Sequence, residues 1–254
     1  MKQFLLFLVL MLTLASCTKV IDIKLNNAEA TYVVEGYLTE GESTHHLKLT
    51  KTLALDQPSA YPQVTDATIS ITDDLGFAAT YNMVAPGEYE LSNYQAHPNR
   101  TYTLTIQVGS KQFKSIQRMP NAVQIDTVQS FPFAFGPSSF VALIPVRMDP
   151  AGESNYYQFN MIKAGKPIKG IFIQSDQYND GNQMMEPIFA EDVQQGDTID
   201  IEMYCIDRSI YDYFYTLVLN QQGAQPANPQ SNLTGGCLGY FAVRTKEHRT
   251  VIVP

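Results

Sequence analysis

The side chains able to do chemistry are few, and their spacing serves no common reaction. Of four histidines, His45 and His46 are adjacent, so a strand sends them to opposite faces, while His97 and His248 stand alone near turn or terminal residues. A zinc site asks for two or three ligands at close spacing, and neither H-x-x-x-H nor C-x-x-C occurs. No G-x-S-x-G elbow is present, and Ser138-Ser139 after Gly136-Pro137 read as loop residues without a base partner. Adjacent carboxylates such as Glu191 and Asp192 diverge, so nothing sets the separation that glycoside hydrolysis requires. In SDQYNDGNQMMEP, Asp176, Asp180 and Asn182 surround Gly181. A calcium loop alternates oxygen ligands and ends in a bidentate Glu, whereas Tyr178 occupies one ligand position here and Pro187 the twelfth. A turn at Asp180-Gly181 is the simpler reading. No catalytic residue, metal site or cofactor is expected, and the chain does not read as an enzyme.

Aromatic residues are the stronger signal. The chain has 15 Tyr and 13 Phe but no Trp, which is unusual for a protein that stacks sugars on indole rings. Phe131, Phe133 and Phe135 alternate in FPFAFGP, with Pro132 and Pro137 stiffening an extended strip. Burial, sealing two domains together, is the expectation; exposure would make a partner-binding patch of a kind that soluble proteins seldom leave open. Tyr211, Tyr213 and Tyr215 project around a helix rather than along one stripe, so at least one should face solvent and could contact a ligand or receptor. Cys205 and Cys237 both point toward a core by strand parity. A bridge closing a loop of about 30 residues would stabilise by about 3 to 4 kcal/mol; two buried free thiols are the alternative.

The amino terminus carries a different signal. Lys2, an apolar run from Phe4 to Leu14 and the small residues Ala15 and Ser16 have the layout of a secretory leader, residues 1–16. It is too short for a permanent membrane span, which needs about 20 apolar residues. The ending Leu14-Ala15-Ser16-Cys17 resembles the lipobox of bacterial lipoproteins, which implies that Cys17 becomes a lipidated first residue anchored by several acyl chains. Residues 17–28 would then form a polar tether. Without the leader the chain has 16 basic and 25 acidic residues, a formal charge of −9. Such a polyanion has no reason to seek nucleic acid.

The elements beyond the tether are mostly strands. Period-2 alternation in TYVVEGYLT, HHLKLTKTL, ATISITD, AATYNMV, GEYELS, TYTLTIQV and KQFKSI predicts seven short strands, hence a β-sandwich over residues 29–120. After Pro120 the strands become longer and more apolar, ending in CLGYFAVRT and TVIVP as two separate strands, and residues 121–254 read as a second β-rich domain. Pro145 within FVALIPVRM argues for an edge or bulged position. One helix is expected over about 209–222, with Ile210, Phe214, Leu217, Val218 and Gln221 on one stripe, Ser209 and Asp212 as a capping box and Gly223 at the C-cap. Asn232-Leu233-Thr234 matches a glycosylation acceptor, and Asp126-Thr127-Val128 and Asp197-Thr198-Ile199 resemble short O-glycosylation tripeptides. Gly235-Gly236 permit either close approach of a partner or a tight re-entry into the sheet, the latter being the expectation.

LASC, YVVEGYLTEGE, ATISITDDLG, PGEYELS, RTYTLTIQVGSKQF, MPNAVQIDTV and above all ANPQSNLTGGCLGYFAV occur here in order. Together they resemble Bacteroidota lipoproteins grouped as domain of unknown function 4249. The resemblance implies a mainly β envelope protein with an immunoglobulin-like or carboxypeptidase-regulatory-like first half. It also implies a TonB-dependent outer-membrane receptor as partner, and it transfers no catalytic residue. The expected role is a non-catalytic accessory of such a receptor in nutrient uptake, lipid-anchored at the outer membrane. The alternative is a stand-alone surface adhesin or glycan- or peptide-binding module. Cys17 is followed by Thr18, Lys19 and Val20, with Asp22 the first acid, which favours the periplasmic face over the cell surface.

Overall fold

The computed structural model describes residues 30–53, 60–135, 138–190, 192–223 and 228–254. The leader, Cys17 and the tether lie outside the described residues. All seven strands expected in the first half form: β1 (Tyr32–Thr39), β2 (Thr44–Lys51), β3 (Thr68–Asp73), β4 (Ala78–Ala85), β5 (Glu88–Ser92), β6 (Thr101–Val108) and β7 (Lys111–Arg118). The second half contributes β8 (Thr127–Phe135), β9 (Ser138–Met148), β10 (Tyr156–Lys163), β11 (Lys166–Pro167), β12 (Phe172–Ser175), β13 (Gln183–Met184), β14 (Ile188–Phe189) and β15 (Thr198–Ile206). The α-helix α1 (Arg208–Gln221), the single one among the described residues, and the long strand β16 (Leu238–Ile252) complete the order. The protein is thus mainly β, and no helix among the described residues is long and apolar enough to cross a membrane.

Alternation decides which side chains are buried. In β6, Tyr102, Leu104 and Ile106 are fully buried while the intervening residues are only half-buried, because successive strand residues face opposite sides. The first half folds back on itself through β4, whose first residues pair with β3 and whose last pair with β5. One sandwich-like core results, containing Leu38, Leu49, Ile71, Leu104 and Phe113. His45 and His46 diverge as expected. His46 is exposed, whereas buried His45 accepts from the Thr39 N–H at Nδ1 (3.4 Å) and donates from Nε2 to the Tyr94 carbonyl (3.0 Å). That tautomer is neutral, and burial holds its pKa below the usual imidazole value.

Strand β16 joins the two halves. Leu238 to Arg244 run parallel to β1, and Thr245 to Ile252 run antiparallel to β15. The segments CLGYFAVRT and TVIVP, expected as separate strands, are one continuous ladder. Leu233, Cys237, Phe241 and Val243 consequently pack in the first core, although the boundary at Pro120 assigns them to the second domain. Two glycines make this return possible. A Cβ on Gly239 would lie 1.9 Å from the Val34 carbonyl oxygen, and one on Gly235 would lie 2.2 Å from that of Gln112. The bare backbone of the Gly-rich block therefore approaches this chain's own strands. Asn232 lines the free edge of β16: its Nδ2 donates to the Phe241 carbonyl (2.7 Å), and the Phe241 N–H donates to its Oδ1 (3.0 Å). One side chain thus replaces a missing strand.

At the residue where β16 changes neighbours stands Arg244. It is 8% exposed, its guanidinium lies 3.8 Å from the Tyr37 ring centroid and 3.6 Å from that of Tyr204, and Nε donates to Thr39 Oγ1 at 3.0 Å. Beyond it, alternate residues of β15 and β16 serve different layers. Ile201, Met203 and Cys205 enter a second core with Leu143, Tyr157 and Phe159. Tyr204, Ile206, Tyr240 and Ala242 face the helix, meeting Ile210 and Phe214. The cap differs by two residues from the expected Ser209: Asp207 is the N-cap, accepting from the Ile210 N–H (3.0 Å) and from Ser209 Oγ (2.7 Å). The C-terminal expectation holds, with Gly223 in the left-handed region at φ 73°. Pro145 pairs with Val128 on one side and on the other falls between β14, opposite Ala142 and Leu143, and β13, opposite Arg147 and Met148. No ladder N–H is asked of it there.

Two measurements check these arrangements. Arg244→Met keeps the volume but removes the guanidinium from both rings and from Thr39, so urea denaturation should show a loss of about 2 to 3 kcal/mol, with Arg244→Lys intermediate. Because the folded state holds His45 neutral, its contribution is complete above the unfolded pKa of about 6.5 and is lost as pH falls through the lower folded value. Stability should drop as pH falls below about 6.5, by at most about 1.4 kcal/mol per pH unit from this group, and His45→Gln should flatten that part of the profile.

Candidate functional site

Cys205 and Cys237 are both buried and both free, so the bridge is absent. Register explains why. Cys205 pairs with Thr245, and Thr245 lies eight positions along the chain from Cys237, roughly 26 Å at about 3.3 Å per residue. A disulfide needs its Cα atoms within about 7 Å. Parity was a sound guide to burial, but the thiols serve different cores. Burial raises the pKa of both, to about 11 for Cys237.

The aromatic residues do converge. Phe131 is 60% and Phe133 42% exposed, contrary to the expected burial: neither packs in the second core, and Phe131, Pro132 and Phe133 are all open in succession. The side chain of Phe135 lies outside the described set. Phe133 meets Phe189 of β14 edge-on at 5.7 Å. Phe189 in turn lines a groove of about 420 Å³ between β12, β14 and α1, together with Ile173, Pro187, Tyr211, Tyr215 and Val218. Tyr211 stacks on Tyr215 at 5.9 Å and leans on Tyr156 at 5.1 Å. Tyr215 is the exposed member of the helical trio, while Tyr213 turns inward onto Tyr240 at 4.9 Å. Phe189, 54% exposed, links the two aromatic sets, and nothing in its short strand marked it beforehand. The groove wall holds one carboxyl, Glu186, whose pKa burial raises and the nearby Arg147 guanidinium lowers less. Such a surface can hold an apolar or aromatic segment and offer one hydrogen-bonding group to orient it.

A polar cluster lies behind this wall. Arg147 is fully buried, donates to the Pro145 carbonyl (3.2 Å) and to Gln174 Oε1 (2.9 Å), and lies 4.0 Å from the centroid of the Tyr157 ring. Tyr157 donates to Asp149 Oδ1 at 2.7 Å. The carboxylates of Asp149, Asp176 and Asp180 converge, their nearest oxygens all within 4.8 Å of one another. The sequence pointed to Asp176 and Asp180 but paired them with Asn182, which is exposed and donates instead to the Asp180 carbonyl. Asp149, the third member, comes from beyond β9 and belongs to no motif.

Residues 18–250 match the family described as Domain of unknown function (DUF4249), and the chain belongs to that family. No curated protein sequence matches it. A chain from a solved structure titled as a cytokine receptor complex, crystal form 1A, is 10% identical with a TM-score of 0.27, covering 70% of this chain and 86% of that one. Agreement that low carries no argument.

The groove residues should separate cleanly from the core in a stability assay. Tyr215→Ala, which removes an exposed ring from a stack, is expected to cost under about 1 kcal/mol. Phe214→Ala, one residue away but buried between Tyr213 and Tyr240, should cost about 3 kcal/mol or more in the same denaturation experiment.

Proposed function

We propose that this protein is a lipid-anchored, non-catalytic envelope component that binds a TonB-dependent outer-membrane receptor or the substrate of that receptor, and that it does so through its aromatic groove. The observation that carries the binding half of this reading is the row of open rings, Phe131, Phe133, Phe189 and Tyr215, running from a projecting hairpin to the groove beside α1. Large apolar side chains gathered on one side of a domain are costly to leave in water and mark docking surfaces. The lipobox-like ending at Cys17 supports the anchoring, and membership of the family supports the choice of partner, as its resemblance implied. The acidic chain, with a formal charge of −8 before any processing, fits a protein held near a membrane by its lipid rather than by headgroup attraction.

Affinity purification of the tagged full chain from native membranes in mild detergent tests this directly. A TonB-dependent receptor should be recovered with the wild type and be depleted at least fivefold with the Phe189→Ser, Tyr215→Ser double variant. Failure to recover any such receptor overturns the reading. So does equal recovery with the double variant, which would remove the groove from the interaction.

A further inference from the structure

The aspartate cluster has a property that hydrogen bonding within the protein leaves unaccounted for. Asp149 and Asp176 are 2% and 4% exposed, yet no ion pair among the described residues reaches either of them or Asp180. The nearby guanidinium of Arg147 donates to Pro145 and Gln174 and stacks on the Tyr157 ring, with its Nε unpartnered. Their present partners are all neutral donors: the Tyr157 hydroxyl and the Gly181 N–H for Asp149, the backbone N–H of Asn155 and its own N–H for Asp176, and the Gly152 N–H for Asp180. Converging carboxylates repel one another, and burial strengthens that repulsion.

A second feature points to a ligand. Asn155 is 8% exposed, and its Oδ1 is a buried acceptor with no partner. Its direction follows from the sheet. Tyr156 pairs with Ser175 and Tyr157 with Gln174, and just beyond the end of that ladder the Asp176 N–H donates to the Asn155 carbonyl at 3.1 Å. Asn155 therefore shares a face with Asp176 across the ladder and with Tyr157 two residues on. That is the face from which the Tyr157 hydroxyl reaches Asp149. An orphaned amide oxygen on the face that carries the carboxylates is what a missing cation would leave behind.

We infer that Asp149, Asp176, Asp180 and Asn155 form a calcium site that staples the end of β9 and the loop after β12 to the start of β10. Two oxygens bound to one calcium ion at about 2.4 Å each lie no more than about 4.8 Å apart, and the three carboxylates already meet that limit. The donors are all hard oxygens, with no imidazole or thiolate among them, which selects calcium over zinc or copper. The broken motif in the sequence is thereby explained: the chain does not use a contiguous loop, and Tyr178, 87% exposed, points away from the site.

The test uses the full chain in mild detergent, stripped with EDTA and titrated with calcium chloride by calorimetry, with thermal melts and tyrosine-sensitised terbium luminescence in parallel. One saturable site per chain is expected, with a rise in Tm and terbium emission that calcium competes away. Asp180→Asn, at an exposed position, should melt as the wild type does without metal, or higher because repulsion falls, and should bind calcium at least tenfold more weakly. Asn155→Ala should weaken binding at least threefold. The inference is overturned by the absence of heat, Tm shift and terbium signal up to about 10 mM metal, well above the dissociation constants of weak extracellular sites. It is equally overturned if Asp180→Asn titrates as the wild type does.

Discussion

The architecture depends on one strand having two sets of neighbours. A β-ladder satisfies backbone groups only when a partner lies alongside, and β16 finds β1 for its first half and β15 for its second. The change of partner falls between Arg244 and Thr245. At such a junction two neighbouring strands end, and the side chains between them must close the gap. Arg244 does this with a flat cation held between Tyr37 and Tyr204, one ring from each half. A guanidinium suits the place because it is planar and weakly hydrated, so it stacks at little desolvation cost. An aliphatic residue would fill the space without the attraction to both ring faces.

The features that could engage other molecules follow from this join. Because β16 runs through both halves, residues on its helix-facing side come from first-half and second-half ladders alike, and α1 lies on the seam. Tyr37 and Tyr240 meet there through a hydroxyl–hydroxyl hydrogen bond, and Tyr213 packs on Tyr240. The inward rings hold the helix at a fixed angle, so Tyr211 and Tyr215 are presented beside β12 and β14. The groove is thus made by tertiary packing, with its one movable-looking member, Tyr215, stacked on a ring that is itself packed on Tyr156. Presenting aromatic rings on rigid elements lowers the ordering entropy that binding would otherwise lose.

The two halves also differ in how they handle polarity. The first half buries His45 as a neutral, doubly bonded ring and Asp73 as the partner of Arg100. The second buries Arg147, Asp149, Gln174 and Asp176, with Gln158 buried on the opposite, helix-facing side of β10. Buried polar groups of this number must be satisfied or they cost stability. Arg147 Nε, Asn155 Oδ1 and Gln158 Oε1 lack protein partners. In the first half the Tyr81 hydroxyl and Ser115 Oγ lack them as well.

Much of this was written locally in the chain. Alternation in β1 to β7 and the helical stripe from Ile210 to Leu217 are properties of neighbours two to four residues apart, so the sequence alone determined strands, helix and a mainly β body. Strand parity likewise determined that Cys205 and Cys237 point inward and that His45 and His46 part company. Only the tertiary structure decided which core each cysteine enters, that two apparent strands are one, that Phe131 and Phe133 stay open, and that Asp149 joins Asp176 from 27 residues earlier in the chain. Those outcomes depend on register between distant segments. A one-residue slip in pairing turns every side chain to the opposite face, and no local pattern in a single segment records which distant strand it will meet.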